Sequence, residues 1–448
     1  MNLSAIELCK KALSIDSSIV NGTSEYTEYI CGLAETIGMI CQTKNYLFRD
    51  LDFQNILITQ KKDTKDLKYL FVNPLDTEAP GPFRAWTATD QDPFDIKVKD
   101  GKMYGLGANS GKLSTVLLLK ALSETTEDQK SKFALLGTYG REVRSHGALR
   151  FLKEKNVEAM NAIIGFPTSN RIIKAQPGRI RMRINFPFTD FEKKMKSEHD
   201  DQEHSSSESQ YFHSKQNEDQ KATSFNSNNA IVQALKFIEN LPDQLLVMDF
   251  AGGKDLYSDP RSCLFEFDLV SHNEIKMGIK LKGFLQFLKK LTNEFQNFLN
   301  EDFLPECPFI HLGRVVCDLE SIEFWGECVF PPGIPESISD QWILSLREEI
   351  NKIGGSSKLL SQRWPYIFKG DQNFLNQITE IINLKNDKKN INSLAYTSEA
   401  DLFKISGFQP LIFGPGDFAQ MFKPNEYIQL KSIEESMNLY RQLVGSLV

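Results

Sequence analysis

The chain has 448 residues, of which 41% are hydrophobic and 25% charged, and a formal net charge of −7. That length calls for two domains with a core in each, and the acidic balance argues against a general nucleic-acid or anionic-membrane partner, which needs cationic surface. No run of 18 apolar residues is present and residues 1–7 lack a basic start followed by an apolar run, so neither a membrane span nor a secretory signal is expected.

From Glu25 to Met39 apolar residues recur at helical spacing and predict an amphipathic helix. Strand-like runs follow at Asn55–Ile58 and Tyr69–Val72. A helix is expected from Lys112 to Leu122 after a glycine-rich loop, then a strand over Phe133–Thr138, a helix over 147–155 and a buried strand over Ala162–Gly165. Short apolar strands alternating with helices are the pattern of an α/β sheet domain. Arg179, Arg181 and Arg183 alternate and fall on one strand face, read as solvated.

Composition changes abruptly at Phe191. To about residue 227 the chain is dominated by Lys, Glu, Asp, Gln, Ser, Asn and His, including His199, His204 and His213. Such a segment buries too little apolar surface to offset its ordering entropy and is expected to be a mobile insertion. A helix over 228–241, a strand at 264–267, a helix over 283–300, a strand over 322–330 and a helix over 340–351 then suit a small α+β domain. Gly354–Gly355–Ser356–Ser357 reads as its return linker. A helix over 373–384, a strand over 410–413 and a helix over 432–448 complete the chain, with no internal repeat.

The seven cysteines, Cys9, Cys31, Cys41, Cys263, Cys307, Cys317 and Cys328, are scattered and never form Cys-x-x-Cys. This predicts no disulfide framework, no zinc knuckle and a reduced, cytoplasmic setting.

Six segments carry a specific signal in order: Asp100-Gly101-Lys102 with Tyr104-Gly105-Leu106-Gly107-Ala108; Gly165-x-Pro167-Thr168-Ser169; Pro331-Pro332-Gly333; Thr397-Ser398-Glu399-Ala400; Gly414-Pro415-Gly416; and Lys423-Pro424-Asn425-Glu426-Tyr427. Together with Trp86 and Asp92-Pro93-Phe94 they resemble the M20 metallopeptidase family, in its branch of acetylornithine deacetylases and succinyl-diaminopimelate desuccinylases. The resemblance covers nearly the whole chain outside the polar segment. It implies an α/β, zinc-exopeptidase-like main domain, residues 1–176 and 358–448, with an inserted α+β lid (dimerisation) domain, residues 177–357, that contains the insertion at about 191–227.

Members of that family hydrolyse an amide with two zinc ions and a glutamate general base. Residue by residue, the resemblance implies loss of that apparatus. The first His ligand is Pro74, although the Asp two residues on is retained as Asp76. The bridging Asp is Ser110, the general base is Arg141, which cannot accept a proton, and the neighbouring ligand survives as Glu142. The Glu before Pro-Thr is Phe166 and the last His is Phe422. All six histidines lie between residues 146 and 311, so neither end region supplies an imidazole.

Asp76 and Glu142 are therefore read as remnants of a catalytic site, with no metal and no cofactor expected. Arg141 would neutralise them, and with Arg144 would line a cationic pocket for a carboxylate. His311 is given a structural role, and Ser110 and Ser145 lack a His base. The expectation is a non-catalytic deacetylase-type protein that binds an amino-acid-like or carboxylate ligand, as a homodimer or beside an active relative, with no nucleic-acid or membrane partner. Two alternatives stay open: an active amidohydrolase with a rearranged site that cleaves an N-acyl amino acid, and a structural interaction protein acting through its charged insertion.

Overall fold

A computed structural model describes residues 3–48, 50–141, 144–154, 157–158, 160–200, 207–214, 229–254, 256, 259–382, 393–394, 396–421 and 423–447. The chain divides into two compact units, residues 1–175 with 366–448, and residues 176–365.

The first unit is built on a six-stranded sheet in the order Ile40–Phe48, Leu51–Thr59, Phe133–Thr138, Tyr69–Pro74, Asn161–Gly165, Gln409–Phe413. The first two strands form an antiparallel hairpin, and the second pairs antiparallel with the third. The remaining pairings are all parallel, with Val72 opposite Leu136 and Ile164, and Ile164 opposite Ile412. Leu70, Phe71, Val72, Ala134, Leu135 and Leu136 are buried on both faces, as parallel strands sandwiched between helices require. Helix Gly111–Leu122 buries eleven of its twelve residues and is flanked by helices Ala5–Leu13 and Leu430–Ser446. Each fully buried Leu or Val of this layer contributes about 1.5–3 kcal/mol. Helix Ala5–Leu13 had no counterpart among the expected elements. Its signal is a capping box in which the Ser4 hydroxyl accepts from the Glu7 N–H and the Glu7 carboxylate accepts from the Ser4 N–H.

The second unit holds a seven-stranded sheet ordered Glu208–His213, Ser262–Leu269, Leu245–Gly252, Phe309–Cys317, Ser321–Phe330, Gly178–Pro187, Ser356–Arg363. Its pairings are antiparallel throughout. Ile180, Met182, Ile184 and Phe186 join a core with helices Ala230–Glu239, Met277–Phe295 and Glu336–Lys352. The alternating arginines occupy the other face, and the expected solvated row is not what forms there. Arg179 is buried and donates to both oxygens of the buried Glu327 at 2.7 and 2.8 Å, while Arg181 Nε donates to the same carboxylate at 3.3 Å. Strand pairing sets Glu327 opposite Arg181 on one side and His311 on the other, and His311 Nδ1 lies 3.2 Å from Asp259.

Three further expectations need correction. The first is the polar insertion at 191–227. Its opening part is a helix, Asp190–Asp200, and residues 208–213 form the sheet's outermost strand, while 201–206 and 215–227, with His204, lie outside the described residues. Two of the polar residues are buried and satisfied. Glu192 accepts the N–H groups of Lys276 and Met277, both at 2.7 Å, at the start of helix Met277–Phe295, and Lys196 donates to the Val247 and Met248 carbonyls at 2.9 and 2.8 Å.

The second concerns Gly354–Ser357, which is not a return linker. Gly354, at φ +80, stops a helix, and Ser356 begins a strand that pairs with Asn185 across the sheet. The third concerns Cys31 and Cys41, which form a disulfide with Cα atoms 5.4 Å apart. The chain reverses at Gly38, φ +74, between helix Ser24–Thr36 and strand Ile40–Phe48 and brings the two residues together. No described helix is long and apolar enough to cross a membrane.

Candidate functional site

In an open α/β sheet, ligands gather beyond the C-terminal ends of the parallel strands. There the first unit assembles most of the positions singled out in the sequence. Strand Tyr69–Pro74 delivers Pro74 and Asp76, strand Phe133–Thr138 leads through Gly140 to Arg141, and strand Asn161–Gly165 ends at Phe166.

Pro74 packs directly on the start of helix Gly111–Leu122. A Cβ added to Gly111 would lie 2.5 Å from Pro74 Cδ and 2.6 Å from its carbonyl oxygen, so only glycine fits. Asp76 is buried. The backbone around it is pinned by Leu75 N–H to the Thr138 carbonyl at 2.7 Å and by Thr77 N–H to the Ser17 carbonyl at 3.1 Å. Ser110 caps the helix: its hydroxyl donates to the Gly107 carbonyl at 2.8 Å and accepts from the Lys112 N–H at 3.3 Å. That hydroxyl is committed to loop geometry.

Phe166 is buried, and its ring stacks on Phe418 with centroids 5.4 Å apart and planes within 8°. Phe418 in turn stacks on Tyr396 at 3.5 Å. The Arg141 guanidinium carbon stands 5.4 Å from the Phe166 ring centroid, within cation–π range. Arg144 is exposed with a left-handed backbone at φ +64. Glu142 and Phe422 lie outside the described residues.

Two charged residues that site reasoning overlooked anchor the glycine loop. Glu426 is buried, and its two oxygens accept the N–H groups of Gly107 at 3.1 Å and Asn109 at 2.5 Å. Burial pushes its carboxyl up to about 7, and the two N–H donors and the Arg141 charge oppose the rise. Lys112 is buried with its ammonium 2.6 Å from the Ile15 carbonyl and 4.6 Å from the Tyr26 ring centroid. Burial lowers it to about 7, against the pull of Asp16, Glu25 and Glu426. Glu426 was legible as a member of the Pro-Asn-Glu segment and Lys112 as the expected start of the helix after the glycine-rich loop. The aromatic partners Phe418 and Tyr396 carried no signal.

The described donors do not fit a two-zinc centre. Pro74 and Phe166 offer no lone pair to a metal, Arg141 is a cation, and Ser110 is a neutral hydroxyl already engaged. Among the described residues no group of three or more His, Cys, Asp or Glu could hold a metal ion.

Residues 78–446 match the family model for peptidase family M20/M25/M40. The chain is 33% identical over 101 residues to acetylornithine deacetylase of Buchnera aphidicola, covering 22% of this chain and 26% of that protein. It is 24% identical over 178 residues to succinyl-diaminopimelate desuccinylase of a Wolbachia, covering 38% and 43%. These matches thus span from a quarter to under half of the relatives' length. Among solved structures, the fold is similar to a metallo-carboxypeptidase of the M20 family from Sulfolobus solfataricus (TM-score 0.63, 12% identity, 99% of both chains). It is also similar to aminoacylhistidine dipeptidase from Vibrio alginolyticus (TM-score 0.61, 14% identity, 98% and 96%). The mixed α/β architecture, the ordered glycine-loop and Pro-Asn-Glu segments and a family match over most of the length make this chain a member of peptidase family M20/M25/M40.

Proposed function

We propose that the chain is a non-catalytic member of its family which retains a pocket for an amino-acid-like or carboxylate ligand. The observation that carries this reading is the Phe166 ring, stacked on Phe418 and within cation–π range of the Arg141 guanidinium, at a strand end where the resemblance calls for a metal-binding carboxylate. A ring and a cation there remove the donor and supply a positive group that favours an anion. Without a bridging metal, no polarised carbonyl or activated water forms by the family route. Arg141 is suited to pairing a carboxylate by charge-assisted hydrogen bonds. The resemblance further implies a homodimer or a partnership with an active relative, and the Cys31–Cys41 disulfide removes the cysteine argument for a reduced, cytoplasmic setting.

The test is metal content after zinc or cobalt loading, with hydrolysis of N-acetylornithine and related N-acyl amino acids followed in parallel. The expected result is no stoichiometric metal and no turnover, with calorimetric binding of an N-acyl amino acid that is lost in Arg141→Gln. Stoichiometric metal with chelator-sensitive turnover would overturn the proposal, and would favour a rearranged site built on Asp76 and Glu142.

A further inference from the structure

Lys196 and Cys317 meet in a setting that the proposed function does not use. Lys196 belongs to helix Asp190–Asp200 and is 2% exposed, unusual for a lysine. Its ammonium is fixed by the Val247 and Met248 carbonyls and lies over the Phe188 ring at 4.2 Å. The two carbonyls sit where strand Leu245–Gly252 shifts register between Val247 and Asp249, and such a bulge frees carbonyls from the ladder. The third partner of the ammonium is Cys317 Sγ, at 3.3 Å. Cys317 ends strand Phe309–Cys317 and is partly exposed, so a small oxidant reaches the sulfur while the amine is held against it.

We propose that Lys196 and Cys317 form an oxidative cross-link, a side-chain sulfenamide, that fastens helix Asp190–Asp200 to the sheet. The oxidant is a hydroperoxide. In the first step the sulfur attacks the peroxide, the O–O bond breaks, a sulfenic acid forms and the other oxygen leaves as an alcohol, or as water when the oxidant is hydrogen peroxide. Sulfur is oxidised by two electrons and the peroxide is reduced. In the second step the Lys196 nitrogen, having given a proton to solvent, attacks that sulfur; the S–O bond breaks, the S–N bond forms and the hydroxyl leaves as water. This condensation is redox-neutral, and it extends to a held side-chain amine the known capture of a sulfenic acid by a nearby nitrogen. Burial pushes the Cys317 thiol up while Lys196 opposes the rise, so the reaction is slow in the resting protein. The held amine then decides the fate of the sulfenic acid once it has formed.

The experiment treats the full-length protein with hydrogen peroxide in mildly alkaline buffer and maps its peptides by mass spectrometry. The expected product is a peptide pair joined at Lys196 and Cys317, lighter by two hydrogens than the separate peptides and released by a phosphine reductant. Lys196→Arg keeps the cation and its carbonyl hydrogen bonds without a nucleophilic amine, and Cys317→Ser keeps the shape without the sulfur. Both should lose the cross-link entirely, and Lys196→Arg should accumulate a Cys317 sulfenic acid that dimedone traps. A wild-type protein in which Cys317 oxidises without joining Lys196 would overturn the proposal. A linked pair of any other composition, such as one with an added oxygen, would overturn the sulfenamide.

Discussion

Glu426 accepts the main-chain N–H of Gly107 at 3.1 Å, closing a contact between residues 319 positions apart. Its other oxygen holds Asn109 N–H, and the Asn109 side chain donates to the Tyr427 carbonyl at 3.0 Å and accepts the Asp417 N–H at 2.8 Å. The glycine loop is thus shaped by the C-terminal segment rather than by its own sequence alone.

This contact predicts a pH dependence of stability. Glu426 titrates near 7 in the folded chain against an ordinary value of 4.5, so ionisation is harder when folded. Its contribution is fully present below the unfolded value and falls as pH rises from about 4.5 to about 7. At roughly 1.4 kcal/mol per pKa unit the loss is on the order of 3 kcal/mol. In Glu426→Gln the amide offers one acceptor to two N–H groups, which costs about 1–3 kcal/mol, and this slope is gone. Urea unfolding of both proteins should therefore show the larger wild-type advantage at pH below 5 and a smaller one above 7. A gap that widened with pH would contradict the assignment.

Lys112 predicts the opposite slope. Its folded value is depressed to about 7 from 10.5, so the folded state favours the neutral amine. The cost of burying it is full below about 7 and is relieved as pH rises toward 10. Lys112→Met leaves the Ile15 carbonyl without its donor, a loss of about 1–3 kcal/mol, but removes the titration. Melting temperatures of wild type minus variant should rise between neutral and alkaline pH, and a flat difference would show that Lys112 does not titrate there.

The scaffold was more legible in the sequence than the site, for a physical reason. The apolar runs Leu70 to Val72, Leu113 to Leu119 and Ala162 to Ile164 are governed by local periodicity and burial, and they fell where the pattern put them. Arg179 was misread because alternation gives the face of a strand but not what covers it. Its partner Glu327 comes from a strand 148 positions away, which no local window contains. Phe166 is similar. The motif located its backbone at a strand end, but the stack with Phe418 and Tyr396 depends on two segments distant in sequence.

Arg179 and Glu327 give a third prediction. Both side chains are 7% exposed, and the pair is bidentate. Removing one partner of a buried pair strands the other charge and costs about 3–5 kcal/mol, whereas replacing both by apolar groups costs far less. Glu327→Leu should be the most destabilised variant, because Glu327 keeps Arg181 when Arg179 is replaced, and Arg179→Met with Glu327→Leu should recover most of that loss in a double-mutant cycle. Arg181 is less buried than Arg179 and can turn to water when the carboxylate is gone. Additive losses would mean that the two residues do not act as a pair.

The last prediction concerns residues 191–227, whose deletion would leave folding unchanged if they were only a charged appendage. The structure gives the opposite expectation. Glu192 has no exposure, and one of its oxygens accepts both Lys276 and Met277 N–H groups while the other accepts the Thr189 N–H at 2.7 Å. Those N–H groups begin helix Met277–Phe295, where helix termini leave donors without internal partners and a negative charge is favoured. Lys196 closes two strand carbonyls beside it. Deletion therefore exposes unsatisfied groups at a helix start and at a strand bulge, each worth about 1–3 kcal/mol. Glu192→Ala alone should lower stability by about 2 kcal/mol by denaturant titration. Lys194→Ala, at an exposed position of the same helix, should cost far less, and equal costs would show that Glu192 does not anchor the segment.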